Sequence, residues 1–280
     1  MKKMYLYANH SSNGGTISVI NFLKSRFDSI GIDTLKDVNF IGDYCIIAIQ
    51  PKSNIYLFLN NKIPHKRKIF IFDTHPSALP LYKSIVYYIL AIILKILKLK
   101  ALVPNGPISK IWPFSLFEVV DWSVFINKNK INIDTSLESN SFIYMGTCSK
   151  LKNFDQFLSF ALLNNKIRFK IAGYIEYKNF DISKFDNIGE FDGFTKFDNS
   201  ILLWTSRIES YGLLFREYVE SGGKVVFIRA PDSFDSIQDS IYIQGKKYSN
   251  LTDLILILTK KSNQINLKSS PCTNIVNVLS

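Results

Sequence analysis

Short, nearly unbroken apolar runs recur along the chain, and stretches of helical periodicity separate them. "KMYLYA" (3–8), "YCIIAI" (44–49), "NIYLFL" (54–59) and "KIFIFD" (68–73) are rich in β-branched and aromatic residues. A strand solvated on one face alternates apolar with polar residues, whereas one covered on both faces does not. These runs therefore read as strands of a parallel sheet. "TISVINFLKSRFDSIG" places Ile17, Ile20, Leu23 and Phe27 at helical spacing, with Gly31 as its C-cap. "YKSIVYYILAIILKILKLK" (82–100) reads as a further helix, and "ALVP" and "WSVFIN" as strands. The polar stretch "NKNKINIDTSLESNS" (127–141) reads as a linker. The alternation then restarts: "FIYMG", "IRFKIAG", "NSILLWT" and "KVVFIRA" as strands, "NFDQFLSFALLNN" and "GLLFREYVESG" as helices, then "YIQG" and the helix "LTDLILILTKK". Two runs of β/α units around one polar joint predict an α/β chain of two Rossmann-like parallel-sheet domains, 1–135 and 136–280, with the C-terminal tail free to cross back.

Composition narrows the class. Of 280 residues, 47% are hydrophobic and 20% charged, which excludes global disorder. Lys plus Arg is 34 against 23 acids, a formal charge of +11, and a basic surface suits an anionic partner. Nucleic acid is not expected, because the basic residues are scattered and no nucleic-acid module is visible. Cys45, Cys148 and Cys272 show no metal spacing and fit a reduced, cytoplasmic chain. The start "MKKMYLYANHSS" lacks a secretory cleavage pattern, and the greasiest run, Ile85 to Leu94, is about half the ~20 residues of a membrane span.

Three stretches carry candidate chemistry. "SSNGGT" (11–16) joins a strand to a helix, and Gly14 and Gly15 allow either a plain tight turn or close backbone approach to a ligand. It has neither the dinucleotide glycine pattern nor the P-loop lysine. "FDTHP" (72–76) ends a strand and holds His75, read either as a surface turn or as a group facing a ligand. "SRIESYGLLFREYVESGGKVVF" (206–227) places Glu209 in a loop at a strand's carboxyl end and Glu217 inside the following helix, with seven residues between them. Ligands of open parallel sheets bind outside the carboxyl ends of strands. The N–H groups at Gly212 and Leu213 suit a phosphate, and the two acids suit hydroxyls, a pairing that a sugar nucleotide offers.

This last segment resembles the signature of retaining GT-B glycosyltransferases, the family 4 group in particular. Ser206, Glu209-Ser210-Tyr211-Gly212-Leu213, Glu217 and Ser221-Gly222-Gly223-Lys224-Val225-Val226 stand where that family carries Ser, E-G-F-G-L, a second Glu and a small-residue run ending in Val-Val. "FIYMGTCSKLKNFDQFLSFA", with Gly146 and Lys152, is similar to the start of the family's second domain, and "KIAG" ends at a matching Gly173. Gly14-Gly15 before a helix is similar to its first β/α unit. There are departures: Thr147 replaces the family's Arg after the strand Gly, Ser210 replaces a Gly, and the Pro before Val-Val is absent.

The resemblance implies a GT-B fold in which two domains face a cleft, and a nucleotide diphosphate-sugar donor held there. Glu209 would contact the donor sugar, with His75 near it, and Glu217 the ribose. Gly212 and Leu213 would give amides to the diphosphate, with Tyr211 and Thr147 beside them, and Lys152 would neutralise it. Gly14 and Gly15 would line the cleft opposite. No metal or other cofactor is implied. The expected enzyme is a hexosyltransferase-type transferase acting with retention on a glycan or lipid-linked acceptor in bacterial surface-polysaccharide synthesis. Its expected location is cytoplasmic, or peripheral at the inner face of the plasma membrane. Residues 82–100, with Lys95, Lys98 and Lys100 at one end, read either as a core helix or as a contact to an anionic membrane. The alternatives are a non-catalytic GT-B-like protein that binds a nucleotide or a partner, and a nucleotide-sugar epimerase.

Overall fold

The computed structural model describes residues 4–7, 15–26, 29–32, 45–49, 55, 58–59, 64, 67–126, 131–136, 141–177, 180–191, 195–206, 209 and 211–227. Gly14, "YIQG", the helix expected at 251–261 and the C-terminal tail lie outside the described residues. The chain divides into two compact units. The first takes in the described residues of Met1–Phe125 and Glu209–Tyr211, the second those of Ile126–Ile208 and Gly212–Ser269.

The first unit is built on a six-stranded sheet. Its strands are β1 (Met4–Tyr7), β2 (Ser29–Ile32), β3 (Cys45–Ile49), β4 (Lys68–Ile71), β5 (Lys100–Pro104) and β6 (Glu118–Val120), in the order β2-β1-β3-β4-β5-β6. Every pairing is parallel. Helix α1 (Gly15–Arg26) buries Val19 and Leu23, one turn apart. Helix α2 (Leu81–Ile96) buries Tyr87, Leu90, Ala91 and Leu94, a stripe of spacing three and four. That stripe packs on Phe70, Phe72, Ala101 and Val103. Ile69, Ile71 and Leu102 alternate to the opposite face and are buried as well, which explains the unbroken apolar runs. Phe72 organises the core: Tyr87 and Phe114 meet it edge-on at 4.8 and 5.1 Å, and Phe117 stacks on it at 5.5 Å.

The second unit has a five-stranded sheet of order β10-β9-β8-β12-β13 and a two-stranded pair, β11-β7. The strands are β7 (Asn132–Asp134), β8 (Ser141–Met145), β9 (Arg168–Ala172), β10 (Asp186–Gly189), β11 (Lys196–Asp198), β12 (Ile201–Trp204) and β13 (Lys224–Phe227). Helices α3 (Phe154–Leu163) and α4 (Leu213–Glu220) cover its two faces. Phe142, Tyr144, Ile201 and Leu203 join Phe154, Phe157 and Phe160 of α3 in one cluster. Ile143, Met145, Leu202 and Trp204 join Phe215 and Tyr218 of α4 in the other. The alternation along each strand thus divides two cores that the sequence alone shows as one greasy run.

Some expectations fail. Ile55, Phe58 and Leu59 of "NIYLFL" are helical rather than strand, and Ile55 and Phe58 pack on the first unit's core. A six-residue apolar run satisfies both periods, so burial decides. Gly31 is not a helix cap: α1 ends at Arg26, and Gly31 pairs with Leu6 within β2. The last strand of the first sheet is Glu118–Val120, and Ser123–Phe125 of "WSVFIN" is a 3-10 turn. The polar stretch 127–141 includes β7, paired to β11.

At the amino ends of β8 and β12 lies a polar knot. Ser141 and Ser200 share a hydroxyl hydrogen bond of 2.8 Å, and the Tyr218 hydroxyl donates to the Ser200 carbonyl at 2.6 Å. Asp198 accepts from the Ser200 hydroxyl and from the ammonium of Lys170, a residue only 7% exposed. Burial raises the Asp198 pKa, but the bonds from Lys170 and Ser200 outweigh it and hold the carboxyl below its usual range. Asp198→Ala would strand a buried ammonium and should lower unfolding stability by about 3 kcal/mol. Pairing it with Lys170→Met should restore most of that loss in a denaturant titration.

Candidate functional site

The second sheet runs outward from β8 to β9 and β10, then returns to the other side of β8 for β12. The order reverses between β8 and β12, and ligands of open α/β sheets bind outside the carboxyl ends of the strands at such a point. The loop after β8 starts at Gly146, whose φ of 112° disfavours a side chain. Its N–H donates to the Ala172 carbonyl at 2.9 Å. Gly173, at φ 138°, packs so closely that a Cβ on it would overlap the Gly146 carbonyl. A Cβ on Gly146 would in turn stand 3.3 Å from Cδ2 of Leu214 in the first turn of α4. Gly146 therefore lies against the start of α4.

The remainder of this loop is fixed to the end of β12. Thr205 donates its hydroxyl to the Lys152 carbonyl at 2.9 Å, and Asn153 Nδ2 donates to the Thr205 carbonyl at 3.1 Å. Asn153 adopts a left-handed φ of 57°, which asparagine tolerates better than most residues. Lys152 is half-buried at this junction, and Tyr144 donates its hydroxyl to the Thr147 carbonyl at 2.8 Å. Cys148 is buried nearby, and burial pushes its thiol up to about 12, so it stays protonated and unreactive at neutral pH.

Gly212, buried at φ 73°, is the residue before α4 and supplies no side-chain cap. The first intrahelical bond runs from Arg216 N–H to the Gly212 carbonyl at 3.1 Å, so the N–H groups of Leu213 and Leu214 precede it. Leu213 is itself buried. One turn on, Glu217 is fully buried, which rules out a solvated surface role for it. The Ser221-Gly222-Gly223 run is a helix stop. Gly222, at φ 84°, donates to the Val219 carbonyl and Gly223 to the Tyr218 carbonyl, both at 3.0 Å, the Schellman pattern.

Thr147, Lys152, Gly212, Leu213 and Glu217 thus all belong to the second unit, with the first four around its switch point. Glu209, half-buried, and Tyr211, buried, fall with the first unit. Arg207 and Ser210 lie outside the described residues. Gly15 is the first residue of α1. His75 follows β4 in the first unit and caps the turn Pro76–Ala78, its Nδ1 accepting from Ser77 N–H at 3.2 Å. It is buried, and burial lowers its pKa. Tyr87 of α2 is also buried, and its pKa is raised, first by burial and then by the Asp73 charge. Asn153 and Thr205 were not legible as residues of this junction. Their roles depend on partners distant in the chain.

No protein-family model matches the chain, and no curated protein matches it by sequence. Among solved structures, a sucrose-phosphate synthase from Thermosynechococcus elongatus superposes with a TM-score of 0.62 at 10% identity, over 93% of this chain and 90% of that one. The fold is of GT-B type. Two parallel-sheet Rossmann-like units make up the GT-B chain, as the sequence predicts.

Gly173→Ala should force Gly146 off its bond to Ala172 and cost about 2 kcal/mol or more, read as a lower melting temperature of the second unit. His75 supplies a pH test. With its pKa depressed below the ordinary 6.5, the folded chain binds fewer protons than the unfolded one in the window between those values. The associated stability is complete above pH 6.5 and declines as pH falls through the depressed value. His75→Asn keeps a capping side chain and should flatten the acid limb of the stability–pH curve.

Proposed function

We propose that the chain is a glycosyltransferase that moves a sugar from a nucleotide diphosphate-sugar to a hydroxyl of a glycan or lipid-linked acceptor. The observation that carries this reading is the junction at the β8/β12 switch point. There an uncapped helix start, a half-buried lysine and a fully buried glutamate one turn further on serve one loop pair. The fold likeness to a sucrose-phosphate synthase, a GT-B glycosyltransferase, supports the reaction class.

In this reading the amides of Gly212 and Leu213 and the Lys152 ammonium receive the charge that develops on the departing diphosphate. Glu217 takes the ribose hydroxyls, Glu209 holds the sugar, and Tyr211, Thr147, Gly14 and Gly15 complete the donor's surroundings, with His75 at the sugar. The anomeric bond to the diphosphate breaks as one to the acceptor hydroxyl forms, with retained configuration and no resident metal. A role in bacterial surface-polysaccharide synthesis, in the manner of family 4 enzymes, belongs to the same proposal. Thr147 in place of an arginine favours one competing reading, a protein that binds the nucleotide without catalysis.

Nucleotide-sugar binding by calorimetry, with transfer or hydrolysis assays, separates the two. Lys152→Ala should lower turnover by about a hundredfold, and Glu217→Gln should weaken donor binding by about tenfold. A wild-type chain that binds nucleotide yet is as inert as its Glu209→Ala and Glu217→Ala variants would make it a binding protein instead.

A further inference from the structure

Helix α2 carries two apolar faces, and the core uses one of them. Tyr87, Leu90, Ala91 and Leu94 are buried. On the opposite side, Tyr82, Ile85, Val86, Ile89 and Ile96 follow one another at spacings of three, one, three and seven, and so share a stripe. That stripe faces solvent: Tyr82 is 66% exposed, Ile85 and Ile89 50% each and Ile96 71%. Leu81, at 78%, extends it at the helix start. An ordinary surface helix carries polar residues there. Isolated exposed apolar side chains need no explanation, but a contiguous stripe about 24 Å long does.

The charge around the stripe points to its occupant. From Thr74 to Phe117 the chain has five lysines (Lys83, Lys95, Lys98, Lys100, Lys110) and no aspartate or glutamate. Lys83, Lys95, Lys98 and Lys100 are exposed on α2 or just beyond its end. Lys95 donates to the Leu116 carbonyl at 2.9 Å, which brings exposed Leu116 to the same end, and Trp112, four residues earlier, is 62% exposed. An apolar stripe bordered by lysines, with tyrosine and tryptophan among the exposed side chains, matches the layering of a bilayer interface. A second copy of the chain fits less well, because pairing through this face would bring two sets of lysines together. Among the described residues no helix is long and apolar enough to cross a membrane, so the contact would lie in the plane of the surface.

We propose that the α2 face docks the protein on an anionic lipid bilayer, its isoleucines entering the interface and its lysines meeting lipid phosphates. This surface is independent of the donor reading.

The test is co-sedimentation of the full chain with vesicles. One set is phosphatidylcholine alone, and the other includes about one-third phosphatidylglycerol. The expected result is binding to the anionic set only. Lys95→Gln/Lys98→Gln/Lys100→Gln should weaken it by about a hundredfold, and Ile85→Glu/Ile89→Glu should abolish it. Circular-dichroism melts report whether the isoleucine variant folds; if it does not, the lysine variant decides. A wild type that stays in solution with anionic vesicles overturns the proposal. So does binding that the deciding variant leaves unchanged. A dimer in sedimentation equilibrium that Ile85→Glu/Ile89→Glu converts to a monomer would assign the face to a second copy and overturn it too. Nucleotide-sugar binding should be unchanged in both α2 variants, so failure of the donor reading and failure of this one give different results.

Discussion

Strand β12 pairs with β8, although β9, β10 and α3 intervene in the chain, and the candidate site depends on that pairing. The junction is fastened at both ends. Below, hydroxyls of Ser141 and Ser200 meet over the Asp198–Lys170 pair. Above, Thr205 is bonded to the backbone of Lys152 and to the side chain of Asn153. Polar contacts inside a protein are worth more when every member is satisfied and water is kept out. Here they hold the two loops in one register before any ligand arrives. Under the proposed transfer reaction this would matter, because donors already in place need not reorganise as negative charge develops.

Much of the architecture was legible because burial on both faces leaves a mark on composition. "KIFIFD" and "FIYMG" read as covered strands, and β4 and β8 are buried at every position. The same mark misleads where a short apolar run belongs to a helix, as at Ile55 and Phe58, since six residues do not separate a period of two from one of 3.6. Gly31 misled for another reason. Glycine suits a helix end on conformational grounds, but within β2 it pairs beside β1, a tertiary fact with no local sign. The three-residue strands β7 and β11 pair across more than sixty residues, and neither has a run long enough to declare itself.

The site divides along a similar line. Gly212 and Glu217 stood out because a strand end, a glycine and a helix follow one another closely in the chain. The Gly-Gly after the helix appeared in the same motif, but its work is conformational: Gly222 closes the helix, and a Cβ on Gly223 would overlap the Tyr218 ring. One short stretch thus combines candidate site residues with residues that let the chain turn. Asn153 shows the reverse. Its left-handed backbone and its bond to Thr205 join two loops, yet nothing adjacent to it in sequence marks it out.

Thr147 stands where the resemblance implies an arginine, and this bears on how an anion would be held in the proposed reading. A helix start contributes about 0.3–1 kcal/mol to holding an anion when exposed, and up to about 2 when partly buried; Gly212 and Leu213 are buried. In that reading Lys152 would add a point charge rather than a planar fork, and would neutralise without fixing orientation. Orientation must then come from elsewhere. Leu213 and Glu217 lie one turn apart, about 6 Å along the helix axis. A phosphate at the first and a hydroxyl at the second would be two anchors on one rigid element. A buried carboxylate so near an anion is unfavourable unless a hydroxyl donates to it. In the proposed reading, a sugar hydroxyl donating to Glu217 would be what sets a phosphate carried on a sugar apart from a bare phosphate.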